Sequence, residues 1–157
     1  MKQDKNIDDF SKYLLKEFNA KLAYCQSDEI SLIIENTYEL ECIFNAKKQK
    51  LISTIASACT AYFNANLHKY FKDFAEELLK YPTFDCRIIN LPNKDEATNM
   101  IFWRYLDAVK NSKQMLGQTF YKHSELQNLS GAKIVDKLLV EKQIDWSSYP
   151  NFFKTGC

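Results

Sequence analysis

The sequence predicts an α+β domain, one sheet with helices largely on one face. Three observations carry that prediction. Apolar residues recur at helical spacing at the start of the chain and again, over longer stretches, in its middle. Between those stretches stand short runs rich in β-branched and aromatic residues, either alternating or continuously apolar as strands are. The 157 residues are 46% hydrophobic and 14% aromatic, enough for one well-buried core, with only 3 Gly and 3 Pro to interrupt the elements.

Ile7, Phe10, Leu14, Phe18 and Leu22 keep helical spacing, which predicts an amphipathic helix over residues 7–19. Strands over 23–26 and 30–35 follow as a hairpin with Ser27, Asp28 and Glu29 at or near its tip. Its second strand, Ile30-Ser31-Leu32-Ile33-Ile34, is apolar enough to be buried in a sheet. After a turn at Asn36-Thr37, Tyr38, Leu40, Cys42 and Phe44 alternate with Glu39, Glu41 and Ile43, the period of a half-buried strand. From Lys47 to about Phe71 the pattern is helical, with Leu51, Ile52, Ile55, Cys59, Tyr62, Phe63 and Tyr70 on one side. Asp73 to Lys80 reads as a second short helix stopped by Pro82. Phe84 to Leu91 reads as a strand closed by Pro92-Asn93, and Asp95 to Phe120 as a long helix bent near Gly117. Ser124 and Gln127 make a capping box for a short helix, and Ala132 to Glu141 form another. The aromatic tail, Ile144 to Phe153, is expected to dock on the body. Without linker or repeat, residues 1–157 read as a single domain with a helical and aromatic tail from about residue 122.

Composition narrows the chemistry. A net charge of +1 argues against a uniform polyanion-binding surface. Cys25, Cys42, Cys59, Cys86 and Cys157 are odd in number and form no CxxC pair, which fits reduced thiols in a cytosolic protein. His68 and His123 stand far apart on polar faces, so a histidine metal site is not expected. No apolar run approaches the ~18 residues of a membrane span. A soluble, cytoplasmic protein is expected.

The densest chemistry lies at Gln26-Ser27-Asp28-Glu29. Two adjacent carboxylates at the mouth of a buried strand suit Mg²⁺, which wants few, hard, fixed oxygen ligands and takes the rest from water and phosphate. A polar hairpin turn is the other reading of the same residues.

Several segments share a resemblance. Ala23 to Ser31 contains QSDEIS, Lys47 to Ser53 contains KLIS, Phe84 to Arg87 is FDCR, Trp103 to Ala108 is WRYLDA, and Asp145 to Gly156 is DWSSYPNFFKTG. In this order they resemble the signatures of the tRNA-His guanylyltransferase superfamily, nearest to its bacterial, archaeal and viral relatives. The resemblance implies a palm-like (ferredoxin-like) antiparallel sheet with helices on one face and a C-terminal helical extension. It implies addition of nucleotides to the 5′ end of tRNA in the 3′→5′ direction, with GTP or ATP and two Mg²⁺ ions. It implies a homo-oligomer, a tetramer in the family's enzymes. Asp28 matches the metal-binding carboxylate and Glu29 the acidic residue beside it, and these two are the catalytic candidates. Ser27 matches a residue near the nucleotide triphosphate. Lys47 and Lys50 match triphosphate-contacting bases; three residues apart at a helix start, they would add to its pull on phosphate. A solvated helix start is the alternative for both. Arg87, Arg104 and Asn111 match positions implied to hold phosphate or RNA. Structural ion pairs with Asp85 or Asp107 are the alternative for the two arginines, and Asp107 is expected to be such a partner. Core packing, rather than base stacking, is expected of the aromatic tail. A palm-type cyclase would rest on fold analogy alone, and the tail motif argues against it.

Four departures accompany the resemblance. No Asp-Gly-Arg is present, although the family carries DGRxFHxF on a strand before its first helix. The expectation is therefore a palm without its first strand: a fragment, a truncated product, or half of a split enzyme completed by an N-terminal partner chain. Val109-Lys110-Asn111-Ser112 stands where eukaryotic members have HINN, which likens the chain to relatives that repair 5′-truncated tRNA by templated addition. Cys86 replaces the glycine of FDGR, and Ala46 stands where a first arginine of the basic stretch is common.

Overall fold

A computed structural model describes residues 2–35, 43–70 and 81–157, with residues 2–8, 46 and 70 described by their backbone alone. These group into two compact units, one of the described residues up to 23 and between 32 and 92, the other of residues 24–31 and 93–157. No helix among the described residues is long and apolar enough to cross a membrane.

The first unit opens with α1 (Lys2–Glu17), which starts earlier than its apolar periodicity predicts. Phe10, Leu14 and Phe18 are buried at the predicted spacing. The helix packs on α2 (Lys48–Tyr70), whose Ile55, Cys59 and Leu67 are also buried. Aromatic rings join them: Tyr13 and Phe10 stack on Tyr62 at centroid distances of 4.0 and 5.5 Å. Phe84 meets Phe10 and Phe63 edge to face, at 5.7 and 5.4 Å. Such pairs add roughly 0.5–1.5 kcal/mol beyond their buried area.

β1 (Leu22–Gln26) and β2 (Glu29–Ile33) form the expected hairpin, a two-stranded antiparallel sheet. Its turn is Ser27-Asp28, with Ser27 at a positive φ of 52°, as primed hairpin turns require. β2 is half-buried rather than buried, because a two-stranded sheet covers each face only partly.

The sheet is smaller than the sequence predicts. Of the strand read around Tyr38 to Phe44, residues 38–42 lie outside the described residues, and Ile43–Ala46 is a 3₁₀ turn with Phe44 and Asn45 in the left-handed region. The helix read over Asp73 to Lys80 also lies outside them. Residues 84–91 do not form the predicted strand. Burial alternates from residue 84 to residue 89, the period the sequence pattern carries. Pairing needs a second strand, and among the described residues side chains of α2 take that place. Thr60 Oγ1 accepts from the Phe84 N–H at 2.9 Å, and the Asn64 amide donates to the Pro82 carbonyl at 2.9 Å.

The second unit is built on α3 (Lys94–Phe120), capped by Asn93, whose side chain accepts from the Glu96 N–H. α4 (His123–Leu126), α5 (Gly131–Lys142) and α6 (Asn151–Thr155) pack against it. α3 runs unbroken through Gly117, in place of the predicted bend. The glycine serves packing instead: a Cβ there would lie 2.7 Å from Ile134 Cγ2. The predicted Ser124–Gln127 capping box does not form. The Glu125 carboxylate accepts from the Lys122 N–H, placing the helix start two residues earlier. Leu116, Tyr121, Leu126, Ile134 and Leu138 make the core, and Trp146, Tyr149 and Phe153 of the tail pack on it.

Candidate active site

The hairpin tip belongs to the second unit, and three anchors fix it there. Cys25 and Cys157 exchange backbone hydrogen bonds of 2.6 and 2.9 Å, the pattern of an antiparallel bridge. The Tyr24 hydroxyl donates to the Thr155 carbonyl. The Gln26 amide, turned to satisfy both its ends, donates to the Arg104 carbonyl and accepts from the Ala108 N–H, each at 3.3 Å. Tyr24 and Gln26 share one face of β1 by the strand's period of two, and that face meets α3 and α6. Burial, first, pushes the Tyr24 hydroxyl above its ordinary pKa, so it remains a donor at neutral pH.

At the tip, Ser27, Asp28 and Glu29 are all exposed. Glu29 Oε2 accepts from Arg104 Nη2 at 2.6 Å, an ion pair that spans 75 positions of sequence. Asp28 makes no ion pair or hydrogen bond through its side chain among the described residues. Arg104 thus pairs with Glu29 and not with Asp107, the partner weighed from sequence. Asp107 accepts from the Asn111 amide at 2.9 Å, one turn along α3. The structure therefore brings together Glu29 with Arg104, and Asn111 with Asp107.

Three other candidates belong to the first unit. Lys47 and Lys50 are exposed at the N-terminal start of α2, and the Lys50 ammonium lies 4.7 Å from the Phe44 ring centroid. Arg87 pairs with Asp85 at 3.2 Å, the structural alternative raised for it, with both side chains largely exposed. A shallow cavity of about 420 Å³ in this unit is lined by Ala56, Ser57, Thr60, Ala61, Thr83 and Phe84, none of them titratable.

The donor chemistry at the tip suits a hard cation. Asp28 and Glu29 offer carboxylate oxygens, with no imidazole beside them. Among the described residues no group of three or more His, Cys, Asp and Glu gathers as a metal shell. Two carboxylates make a partial shell, the form Mg²⁺ takes when water and substrate phosphate supply the rest.

Gln26 and Tyr24 are the positioning residues that spacing alone did not single out, although their shared strand face was legible. The tail packs on the core half-buried, as expected of a packing role, but basic groups meet it in space. Lys113 and Lys154 hold their ammonium groups 4.8 and 5.6 Å from the Trp146 ring centroid. The Trp146 indole N–H donates to the buried Ser112 Oγ at 3.2 Å.

Among known proteins, residues 3–92 match the family described as Thg1, tRNAHis guanylyltransferase. A bacterial tRNA(His) guanylyltransferase (Thg1)-like protein solved in complex with ATP is 40% identical, with a TM-score of 0.81 over 94% of this chain and 63% of its own. A bacterial protein of the same description in complex with GTP is 35% identical, with a TM-score of 0.72 over 99% of this chain and 62% of its own. The tRNA(His) guanylyltransferase of Saccharomyces cerevisiae is 28% identical over 145 residues, 86% of this chain and 60% of the yeast protein. The chain thus spans under two thirds of the length of each of these relatives.

Proposed function

Because the chain belongs to the tRNAHis guanylyltransferase family, we propose that it is a nucleotidyltransferase that adds GTP-derived or templated nucleotides to the 5′ end of tRNA in the 3′→5′ direction. The observation that carries this reading is the hairpin tip: two adjacent exposed carboxylates on a hairpin pinned to α3, one of them, Glu29, paired with a guanidinium of that helix. In the reaction, the 3′-hydroxyl of the incoming nucleotide attacks the activated 5′ α-phosphate of the tRNA and expels the activating group.

Asp28 and Glu29 would hold Mg²⁺, two ions in such a site, which would supply charge neutralisation for the attacking and leaving oxygens. Ser27 lies beside the nucleotide triphosphate. Lys47, immediately before α2, and Lys50, in its first turn, stand three residues apart, where two cations and the helix N-terminus favour phosphate. Arg87, Arg104 and Asn111 contact phosphate or RNA; guanidinium donors suit phosphate bidentately once their present carboxylate partners are exchanged. A palm-like sheet, a cytoplasmic location and a tetramer complete the proposal.

The test is Mg²⁺-dependent incorporation of labelled GTP into a tRNA lacking its 5′-terminal nucleotide. Incorporation by the wild-type chain, lost in Asp28→Ala, supports the reading. Activity retained in a folded Asp28→Ala variant overturns it. A folded wild-type chain that binds tRNA and nucleotide without turnover fits instead a subunit that needs a partner chain.

A further inference from the structure

We propose that Arg104 is a positioning residue that occupies the place of a cation at the hairpin tip, holding Glu29 until a divalent metal displaces it. The inference rests on the reading of Asp28 and Glu29 as metal ligands.

Consecutive carboxylates at one turn repel each other, and a positive charge beside them offsets that repulsion. Arg104 supplies it, through a single contact of 2.6 Å from Nη2 to Glu29 Oε2. The guanidinium carries five N–H donors, and among the described residues no other group accepts from them. Asp107 lies three residues along the same helix face, yet its carboxylate is taken by Asn111. The pair is therefore selected across the fold rather than along the helix.

The pair is also dispensable to the hairpin's position. Gln26 grips the Arg104 carbonyl and Ala108 N–H of the same turn, and Cys25 is bridged to Cys157 through the backbone. Exchanging the ion pair thus frees a carboxylate for metal and a guanidinium for phosphate while the turn stays anchored. The exchange is easy, because Glu29 is 54% and Arg104 33% exposed. Exposed pairs of this kind shift an equilibrium by roughly two- to fivefold. Metal entry and delivery of Arg104 to a phosphate are then one coupled event.

The test reads Mn²⁺ binding to the nucleotide-free chain by electron paramagnetic resonance. Arg104→Gln is expected to bind Mn²⁺ roughly two- to fivefold more tightly than wild type, the size of the lost competition. Arg104→Lys, which keeps a cation, should stay near the wild-type value. Unchanged or weaker binding by folded Arg104→Gln overturns the inference. Should that variant fail to fold, nitrogen-15 spectra of the arginine side chains in the wild-type chain decide. The Arg104 guanidinium signal must change as Mg²⁺ saturates, and an unchanged signal overturns the proposal. A wild-type chain that binds no Mn²⁺, or binds it equally well as Asp28→Asn, overturns the metal-ligand reading itself. Wild-type binding lost in Asp28→Asn but not tightened in Arg104→Gln overturns only the role of Arg104.

Discussion

Asp28 is the metal ligand of the proposed reaction, and its surroundings make it a clean probe. It is exposed on the tip and bonds no described side chain. Asp28→Ala should therefore change the unfolding free energy by no more than about 0.5 kcal/mol while nucleotide addition is lost. Urea denaturation beside the incorporation assay checks both halves. Gly156 shows the opposite case, a residue on which the site's geometry depends though it carries no side chain. Its φ is 73°, and a Cβ there would lie 2.5 Å from the Cys25 carbonyl oxygen and 2.7 Å from the Tyr24 hydroxyl. The glycine lets the last turn of α6 come against β1. Residue types at the site were legible from their motifs; the Glu29–Arg104 pair was not. Its members stand 75 positions apart, and a local pattern contains no distance between them.

At the scale of elements, helices were the legible part. The apolar spacing of α1 and α2 foretold them, and α3 and α5 were read as helices too, because a helix closes its own backbone bonds and needs only one face buried. Caps were less legible, since several Ser, Asp and Asn compete locally and packing selects among them. The docking of α5 on α3 rests on the small size of Gly117. Gly117→Ala gains about 1 kcal/mol of helix propensity. It then meets Ile134, and overpacking of that kind costs about 1–3 kcal/mol. A net lowering of the urea midpoint is the expected outcome. The tail begins at Asp145, whose carboxylate accepts from the Ser147 hydroxyl at 2.6 Å and from the Ser147 N–H at 2.8 Å. The hydroxyl bond first, then the backbone bond, holds its pKa below the usual carboxylate range. The folded value is thus the depressed one. The stabilisation is full above the unfolded carboxyl pKa of about 4 and is lost as pH falls through the folded value. Trp146 fluorescence, read with the exposed Trp103 replaced by Phe, should report a tail that loosens in acid. Asp145→Ala should remove most of that acid-dependent step.

The whole molecule is a family member by sequence pattern and by similarity of fold to bacterial relatives. We expect it to sediment as a tetramer at micromolar concentration; a monomer with intact incorporation activity would remove oligomerisation from the proposal. The long helices among the described residues, the hairpin and the ordered motifs from Gln26 to Gly156 were written in the amino-acid string. Each follows from short-range periodicity or from a contiguous signature, which needs no partner to be read. Strand pairing was not. The pattern of residues 84–91 has a strand's period, but whether a group such as the Phe84 N–H meets a strand or the side chain of Thr60 depends on what the fold carries to its edge. The same holds for the charges at the hairpin tip. Arg104 had carboxylates near it in sequence, yet the hairpin seated on α3 places Glu29 within reach while Asn111 occupies Asp107. Partnerships across long sequence separations are settled by packing, because only packing converts positions far apart in the chain into distances of a few ångströms.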